Sequence, residues 1–399
     1  MKNLLLKFNK EFKYKINQFV AWFLFRAIHP LLRKLPHVSR KRHILLVSNG
    51  AQMVEHLAEL WELFKDDQNL TFCLLLWYEP QYGELERIAH KLPIRIVGLS
   101  KLYLTHWDLV VLADHLVSHH WSGWDLFSWP ILRIPHGAVG KRVDGELYAF
   151  GSKCYDKNRN IPYKRIFVYS ENERRMAIDM DSQFSEKIAV VGNLKSEKLL
   201  EKSLNRNEIR HQLGIKQDET LVFMVSTYGS NCLLNTMGDS LLCEARRLSG
   251  KFRFAISIHP KEHQHKIETE SDWNESLATL KSDGFLVMEF GEDWENYLVA
   301  CDVILTDHSS LSSYGVALGK PYIYSPVPDY VTETHGLTWH LMRISPILHA
   351  DASNLKECLT HGINEYQLEK LAELLKTLGY YPGEAKNRAR REVYDILYN

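Results

Sequence analysis

Short apolar runs alternate along this chain with amphipathic stretches of helical period. His43 to Val47 is the first run. Ser48-Asn49-Gly50 turns, and Gln52 to Phe64 then sets Met53, Leu57, Leu60 and Phe64 on one helix face. Further strands are predicted over Leu70–Trp77, Ile94–Val97, Asp108–Leu112, Ile131–Ile134, Arg165–Tyr169 and Ile188–Val191, with helices over Glu84–Lys91 and Glu171–Met180. Strands joined by such helices form a parallel sheet covered on both faces, with right-handed crossovers. Charged helical segments from Lys195 to Leu213 follow, and the alternation then restarts. Strands are expected at Thr220–Ser226, Phe252–Ile258, Phe285–Phe290, Val303–Leu305 and Tyr322–Tyr324, and helices at Met237–Leu248, Trp294–Ala300 and Leu311–Leu318.

A chain of 399 residues exceeds the size at which one core keeps growing, so two domains are expected. The pattern divides it into an N-terminal domain over 40–200 and a C-terminal domain over 201–380. A closing helix, Ala385–Leu397 within 381–399, suits a crossover back onto the first domain. The predicted class is α/β: two Rossmann-like parallel-sheet domains facing a cleft, the architecture called GT-B. Ligands of such sheets lie beyond the carboxyl ends of the strands.

Residues 1–39 are different. The formal net charge of zero hides eleven Lys/Arg against one acid, Glu11, within residues 1–42, so the remainder of the chain is acidic. The basic residues are interleaved with Leu, Phe and Trp in one terminal segment rather than spread over a folded face, which excludes a nucleic-acid partner and favours an anionic membrane surface. Phe19 to Phe25 is the most apolar run, far below the roughly 20 residues of a membrane span. No small-residue cleavage site follows it. An interfacial amphipathic helix is expected, seating residues 1–36 on a membrane as a peripheral anchor; packing on the protein itself or on a partner subunit is the other reading of the same pattern. Six cysteines without CxxC pairs indicate reduced thiols.

The candidate chemistry sits at strand ends. Ile131–Ile134 runs into Pro135-His136-Gly137-Ala138, then Lys141, Arg142 and a polar loop to Ile161. A histidine there faces a cleft and can transfer a proton near neutral pH, although a lone His is also commonly structural. Phe252–Ile258 ends in His259-Pro260-Lys261. His263 and His265 follow, but without neighbouring carboxylate partners no metal is expected. Val303–Leu305 ends in Thr306-Asp307-His308-Ser309-Ser310, followed at once by a helix. The free N–H groups of such a helix start bind phosphates, or Asp307 or Ser309 simply caps the helix.

Taken together, His136-Gly137 with Lys141, His259-Pro260, and D-V-I-L-T-D-H-S-S-L-S-S-Y-G-V-A-L-G-K-P from Asp302 to Pro321 resemble the CDP-glycerol glycerophosphotransferases of teichoic-acid and capsule synthesis, over roughly residues 130–330. The chain departs from that family's pattern at Pro135, Ala138, Ser257 or Ile258, His308 and Gly192–Ser196. The resemblance implies a GT-B transferase at the cytoplasmic face of the membrane that needs neither metal nor cofactor. It would move glycerol phosphate from CDP-glycerol to a hydroxyl of a surface polymer or its lipid-linked precursor. Carried over, His136 is the base toward the acceptor, with Gly137, Lys141 and Arg142 in the acceptor loop. His259 and Lys261 meet the donor phosphates, and Thr306, Asp307, Ser309 and Ser310 hold the donor. A nucleotide-sugar glycosyltransferase of surface polysaccharide and a non-catalytic GT-B-like binding protein fit the same pattern.

Overall fold

The computed structural model describes residues 41–48, 51–76, 92–98, 101, 105–113, 129–135, 137, 140, 142–143, 146–156, 158–259, 273–288, 293–361 and 366–399. The expected N-terminal amphipathic segment and the helix expected at Glu84–Lys91 lie outside these residues.

Seven parallel strands form the first sheet: β1 (Arg42–Ser48), β2 (Leu70–Leu76), β3 (Arg95–Val97), β4 (Leu109–Leu112), β5 (Ile131–Arg133), β8 (Arg165–Val168) and β9 (Ile188–Val190), in the order β3-β2-β1-β4-β5-β8-β9. Between β5 and β8 a small antiparallel hairpin intervenes, β6 (Arg142–Val143) with β7 (Glu146–Leu147). The second sheet has five parallel strands, β10 (Thr220–Ser226), β11 (Phe252–Ile258), β12 (Leu286–Val287), β13 (Val303–Thr306) and β14 (Tyr322–Tyr324), in the order β12-β11-β10-β13-β14. Each sheet begins with a strand that is flanked by its second strand on one side and its fourth on the other. The crossovers reverse direction there, opening the crevice in which doubly wound sheets bind ligands.

The helices are α1 (Ala51–Glu62), α2 (Glu171–Met180), α3 (Leu194–Ser203), α4 (Arg206–Gln212), α5 (Leu233–Leu248), α6 (Trp273–Ser282), α7 (Trp294–Ala300), α8 (Leu311–Gly315), α9 (Leu337–Ile344), α10 (Leu355–His361), α11 (Tyr366–Leu378) and α12 (Ala385–Tyr398). Helix α5 starts four residues before the expected Met237, and Met237 itself leaves helical geometry, so the apolar period changes face at that kink. Helix α8 is shorter than expected. Gly315 approaches β13 and β14 so closely that a Cβ there would lie 2.2 Å from Ile304 Cδ1 and 2.9 Å from Tyr322 Oη, and the chain then turns through Gly319 at φ +64°.

Helix α12 belongs physically to the first domain. Ala385, Ala389, Val393 and Leu397 enter the same apolar cluster as Ile44, Leu46, Leu57 and Leu132. Tyr394 Oη donates to Asp67 at 2.7 Å, and Glu197 of α3 accepts from the first backbone N–H groups of α12, Ala385 and Lys386. A carboxylate at that end also complements the helix dipole.

Helix α2 starts with a reciprocal cap. Ser170 Oγ accepts from Glu173 N at 3.2 Å, and Glu173 Oε2 accepts from Tyr169 N at 2.6 Å. Glu173 is buried, and its burial pushes the carboxyl up to about 8 despite these backbone donors. A carboxyl whose folded pKa lies above its unfolded value stabilises the fold at low pH and loses that contribution as pH rises, here between about 4.5 and about 8. Glu173→Gln keeps an acceptor for Tyr169 without the ionisation, so its melting temperature should rise above wild type at pH 8 and match it near pH 5. A variant that is destabilised equally at both values would show that the carboxyl's geometry matters, not its proton.

Candidate functional site

The second sheet gathers the chemistry at the carboxyl ends of β10, β11 and β13. The Thr306 hydroxyl, fully buried, donates to Val225 O at 3.1 Å and ties β13 to β10. Asp307 is also fully buried. Its Oδ2 accepts from Thr227 N at 2.9 Å and Leu233 N at 2.8 Å, reaching across the reversal point to hold both ends of the loop between β10 and α5. The carboxylate is thus committed to another loop rather than to the helix that follows it. Asp307 acts as the organiser of the turn, and neither of the two roles weighed from sequence describes it fully.

Ser309 is buried, and its Oγ accepts from Leu311 N at 3.3 Å, a local turn bond one residue ahead of the N-cap of α8, which is Ser310 and makes no side-chain cap bond. Ser310 is exposed. It meets the other domain: a Cβ on Gly137 would lie 3.2 Å from Ser310 Cβ and 3.5 Å from Ser310 Oγ. A side chain at this position of the β5 loop would therefore meet the serine turn of the second domain. His136, Lys141 and Lys261 lie outside the described residues. His259 is half-buried at the end of β11, and its ring lies 4.6 Å from that of Tyr228. Tyr228 follows β10 and is 37% exposed. Asn231 Nδ2 donates to Tyr330 Oη at 3.3 Å nearby.

Arg142 is held by the second domain. Its Nε donates to Glu333 Oε2 at 2.7 Å, Glu333 N donates to Gly140 O at 2.8 Å, and Asn172 Nδ2 donates to His335 O at 2.8 Å. This arginine is thus part of a clamp between the domains. Lys320, in the last expected motif, is also structural: its ammonium donates to Val299 O at 3.1 Å and Cys301 O at 2.6 Å, satisfying carbonyls at the end of α7. Burial lowers its pKa.

A buried ion cluster lies between the domains. Lys195 of α3, 4% exposed in its side chain, sits 2.7 Å from Glu59 Oε1 of α1 and 2.7 Å from Glu295 Oε1 of α7. Lys198 and Lys202 approach Glu295 at 3.3 and 3.2 Å. Burial opposes ionisation of Glu295, but Lys195 and its neighbours overcome it and hold the group down at about 2. Glu59 goes the other way, pushed up to about 7 by burial against the pull of Lys195. Nothing in the sequence pattern singled out this cluster, because its members are far apart in the chain and each sits on an ordinary charged helix. Tyr228 was visible in principle, since it follows the strand at the reversal point of the second sheet by two residues.

Among the described residues no group of three or more His, Cys, Asp or Glu is placed to hold a metal, and no helix is long and apolar enough to cross a membrane. All six cysteines are free.

Neither a protein-family model nor a curated protein matches the sequence. Solved structures do match the fold. A variant of the wall teichoic acid polymerase TagF soaked with CDPG aligns at TM-score 0.63 and 13% identity over 98% of both chains. The UDP-GlcNAc 2-epimerase from Neisseria meningitidis bound to UDP-GlcNAc aligns at TM-score 0.60 and 15% identity, over 90% of this chain and all of that one. S. aureus MnaA with UDP aligns at TM-score 0.59 and 14% identity, over 90% and 96%. At these identities the likeness is one of fold, and with a reversal point in each of the two parallel sheets it gives this chain a GT-B architecture.

Proposed function

We propose that this protein is a transferase that moves glycerol phosphate, or a related polyol phosphate, from a CDP-activated donor to a hydroxyl of a cell-surface polymer or its lipid-linked precursor. The observation that supports it most is the closeness of Gly137 to Ser310, such that a Cβ on the glycine would lie 3.2 Å from Ser310 Cβ, which sets the residue next to His136 in the sequence near the serine turn. In this reading the donor diphosphate lies on the turn formed by Ser309 and Ser310, with His259 and Lys261 on its oxygens. His136 accepts the proton of the attacking hydroxyl. Charge that develops on the leaving nucleotide is met by fixed hydrogen-bond donors. Asp307 and Thr306 contribute by fixing the turns, not by touching the donor.

Release of CMP from CDP-glycerol, measured against a panel of nucleotide sugars, tests the reaction. Turnover of a sugar nucleotide instead would favour a glycosyltransferase or an epimerase, which the UDP-bound neighbours of the same fold also allow. Binding without turnover of any donor would favour a non-catalytic protein. Ser310→Ala should weaken donor affinity with an unchanged melting temperature, because its hydroxyl is exposed. Ser309→Ala should lower both, since its buried hydroxyl accepts from Leu311 N and losing such a hydrogen bond costs about 1 kcal/mol. Equal behaviour of the two variants would contradict this division of roles.

We also propose that residues 1–36 hold the protein at the cytoplasmic face of the membrane. Deleting them should abolish sedimentation with anionic vesicles and leave the melting transition in place, as both sheets start later. Binding that survives the deletion would place the membrane contact elsewhere.

A further inference from the structure

A cavity of about 910 Å³ lies beside the site, walled by the β6–β7 hairpin, the loop after it and helix α2 on one side, and by residues 333–335 of the second domain on the other. Arg142, five positions after Gly137 in the chain, is part of its wall. The Arg142–Glu333 ion pair and the bond from Asn172 to His335 O close its wall.

The charges in this wall are unevenly used. Glu146 Oε2 accepts from Ser152 N and Oγ at 2.9 and 2.6 Å. Asp181 accepts from Tyr155 Oη at 2.9 Å and Gln183 N at 2.9 Å, and Glu333 is occupied by Arg142. Among the described residues, three charged side chains of the wall have neither a hydrogen bond nor a salt bridge, Arg159, Arg175 and Asp179, and the charge of Arg159 faces Asp181, Tyr155 and Glu146. Arg175 and Asp179 are a turn apart on α2, both exposed to the cavity, yet do not pair with each other. Two guanidinium groups offer planar forks to a phosphate, and a carboxylate accepts from hydroxyls.

The backbone is also unusual here. Among the described residues only three non-glycine residues have positive φ. Arg159 (64°) and His335 (70°) are two of them, one from each wall of this cavity. Backbone held in a sparsely populated region by its surroundings clusters where ligands are bound.

We propose that this cavity is a second binding site, distinct from the donor turn, for the acceptor: a chain carrying both phosphodiester groups and free hydroxyls. Arg159 and Arg175 take a phosphate of the chain, Asp179 a hydroxyl, and the chain's end passes Gly137 toward Ser310. The proposal rests on the transferase reading for the word acceptor, while the ligand's chemistry follows from the wall alone. Because both domains line the cavity, an occupied site also favours the closed arrangement of the cleft.

The test is calorimetry on the full chain with a short synthetic glycerol-phosphate oligomer, an uncharged oligoglycerol of the same length, and CDP-glycerol. The charged oligomer should bind and the uncharged one should bind at least about tenfold more weakly, as expected when charge-assisted bonds are missing. Arg159→Ala with Arg175→Ala should weaken the charged oligomer by about tenfold or more, with Arg175→Lys restoring only part, while CDP-glycerol affinity and melting temperature stay at wild-type values. Asp179→Asn should weaken the oligomer and leave inorganic phosphate binding unchanged. Equal binding of both oligomers, or wild-type binding of the charged oligomer by the double variant, overturns the proposal. Failure of wild type to bind CDP-glycerol would instead count against the donor reading, and leaves the oligomer result to be read on its own.

Discussion

Replacing His136 with alanine is expected to lower turnover by about two to four orders of magnitude while donor affinity stays near wild type, because general-base assistance is worth about that much. In sequence the residue comes just after β5 of the first domain, and a Cβ on its neighbour Gly137 would lie 3.2 Å from Ser310 Cβ in the second. His259→Ala should differ in kind. Its ring ends β11 of the donor-side sheet, so donor affinity and turnover should fall together. Both variants need turnover and donor affinity measured on folded protein, with melting temperature as the control. Near-normal turnover in His136→Ala would remove it from the mechanism and leave the binding-protein reading the stronger one.

Lys195→Ala should produce the largest loss of stability, about 3–5 kcal/mol at pH 8, since removing one partner of a buried ion pair strands the charge of the other. Here Glu59 is stranded, 2.7 Å from the ammonium in the native protein, while Glu295, also 2.7 Å away, keeps Lys198 and Lys202 at 3.3 and 3.2 Å. The loss should shrink toward pH 5. Glu59 already titrates at about 7 with the lysine present, and without it both carboxyls take up protons more readily, which removes their mutual repulsion. In the wild type the sign for Glu59 is that of a raised carboxyl: its contribution is fully present below about 4.5 and lost as pH rises through about 7. Glu295, held low, contributes above about 4.5 and loses its contribution only as pH falls toward about 2. Urea midpoints of wild type and variant at pH 5 and pH 8 decide the matter. Equal losses at the two values would mean that Lys195 matters for packing against Trp294, whose ring lies 5.4 Å away, rather than for charge.

Strand positions were legible in the sequence because both faces of each sheet are covered, which leaves short unbroken apolar runs such as Leu221–Val225 and Ile44–Val47 that few other arrangements allow. Strand ends were legible for the same reason: the first polar residues after each run face the cleft, and His259 and the Thr306–Ser310 turn were found that way. What those polar residues do was not legible. Asp307 bonds to residues about eighty positions earlier, Arg142 to one nearly two hundred later, and neither partner has a local signature. The length of α8 was missed because it is set by how closely Gly315 approaches Ile304 and Tyr322, which is tertiary packing rather than helix propensity.

The placement of α12 on the first sheet has a consequence for the order in which the chain matures during synthesis. One apolar flank of that sheet stays uncovered until residues 385–397 have been made, since Ala389, Val393 and Leu397 complete it. The second sheet has all its strands once Tyr324 has emerged. Synthesis from the N-terminus therefore presents a nascent first half with exposed Ile44, Leu46 and Leu132, and a later half that can settle before it. Ribosomes stalled just short of residue 385 should carry a protease-resistant second domain and a chaperone-bound, protease-sensitive first one.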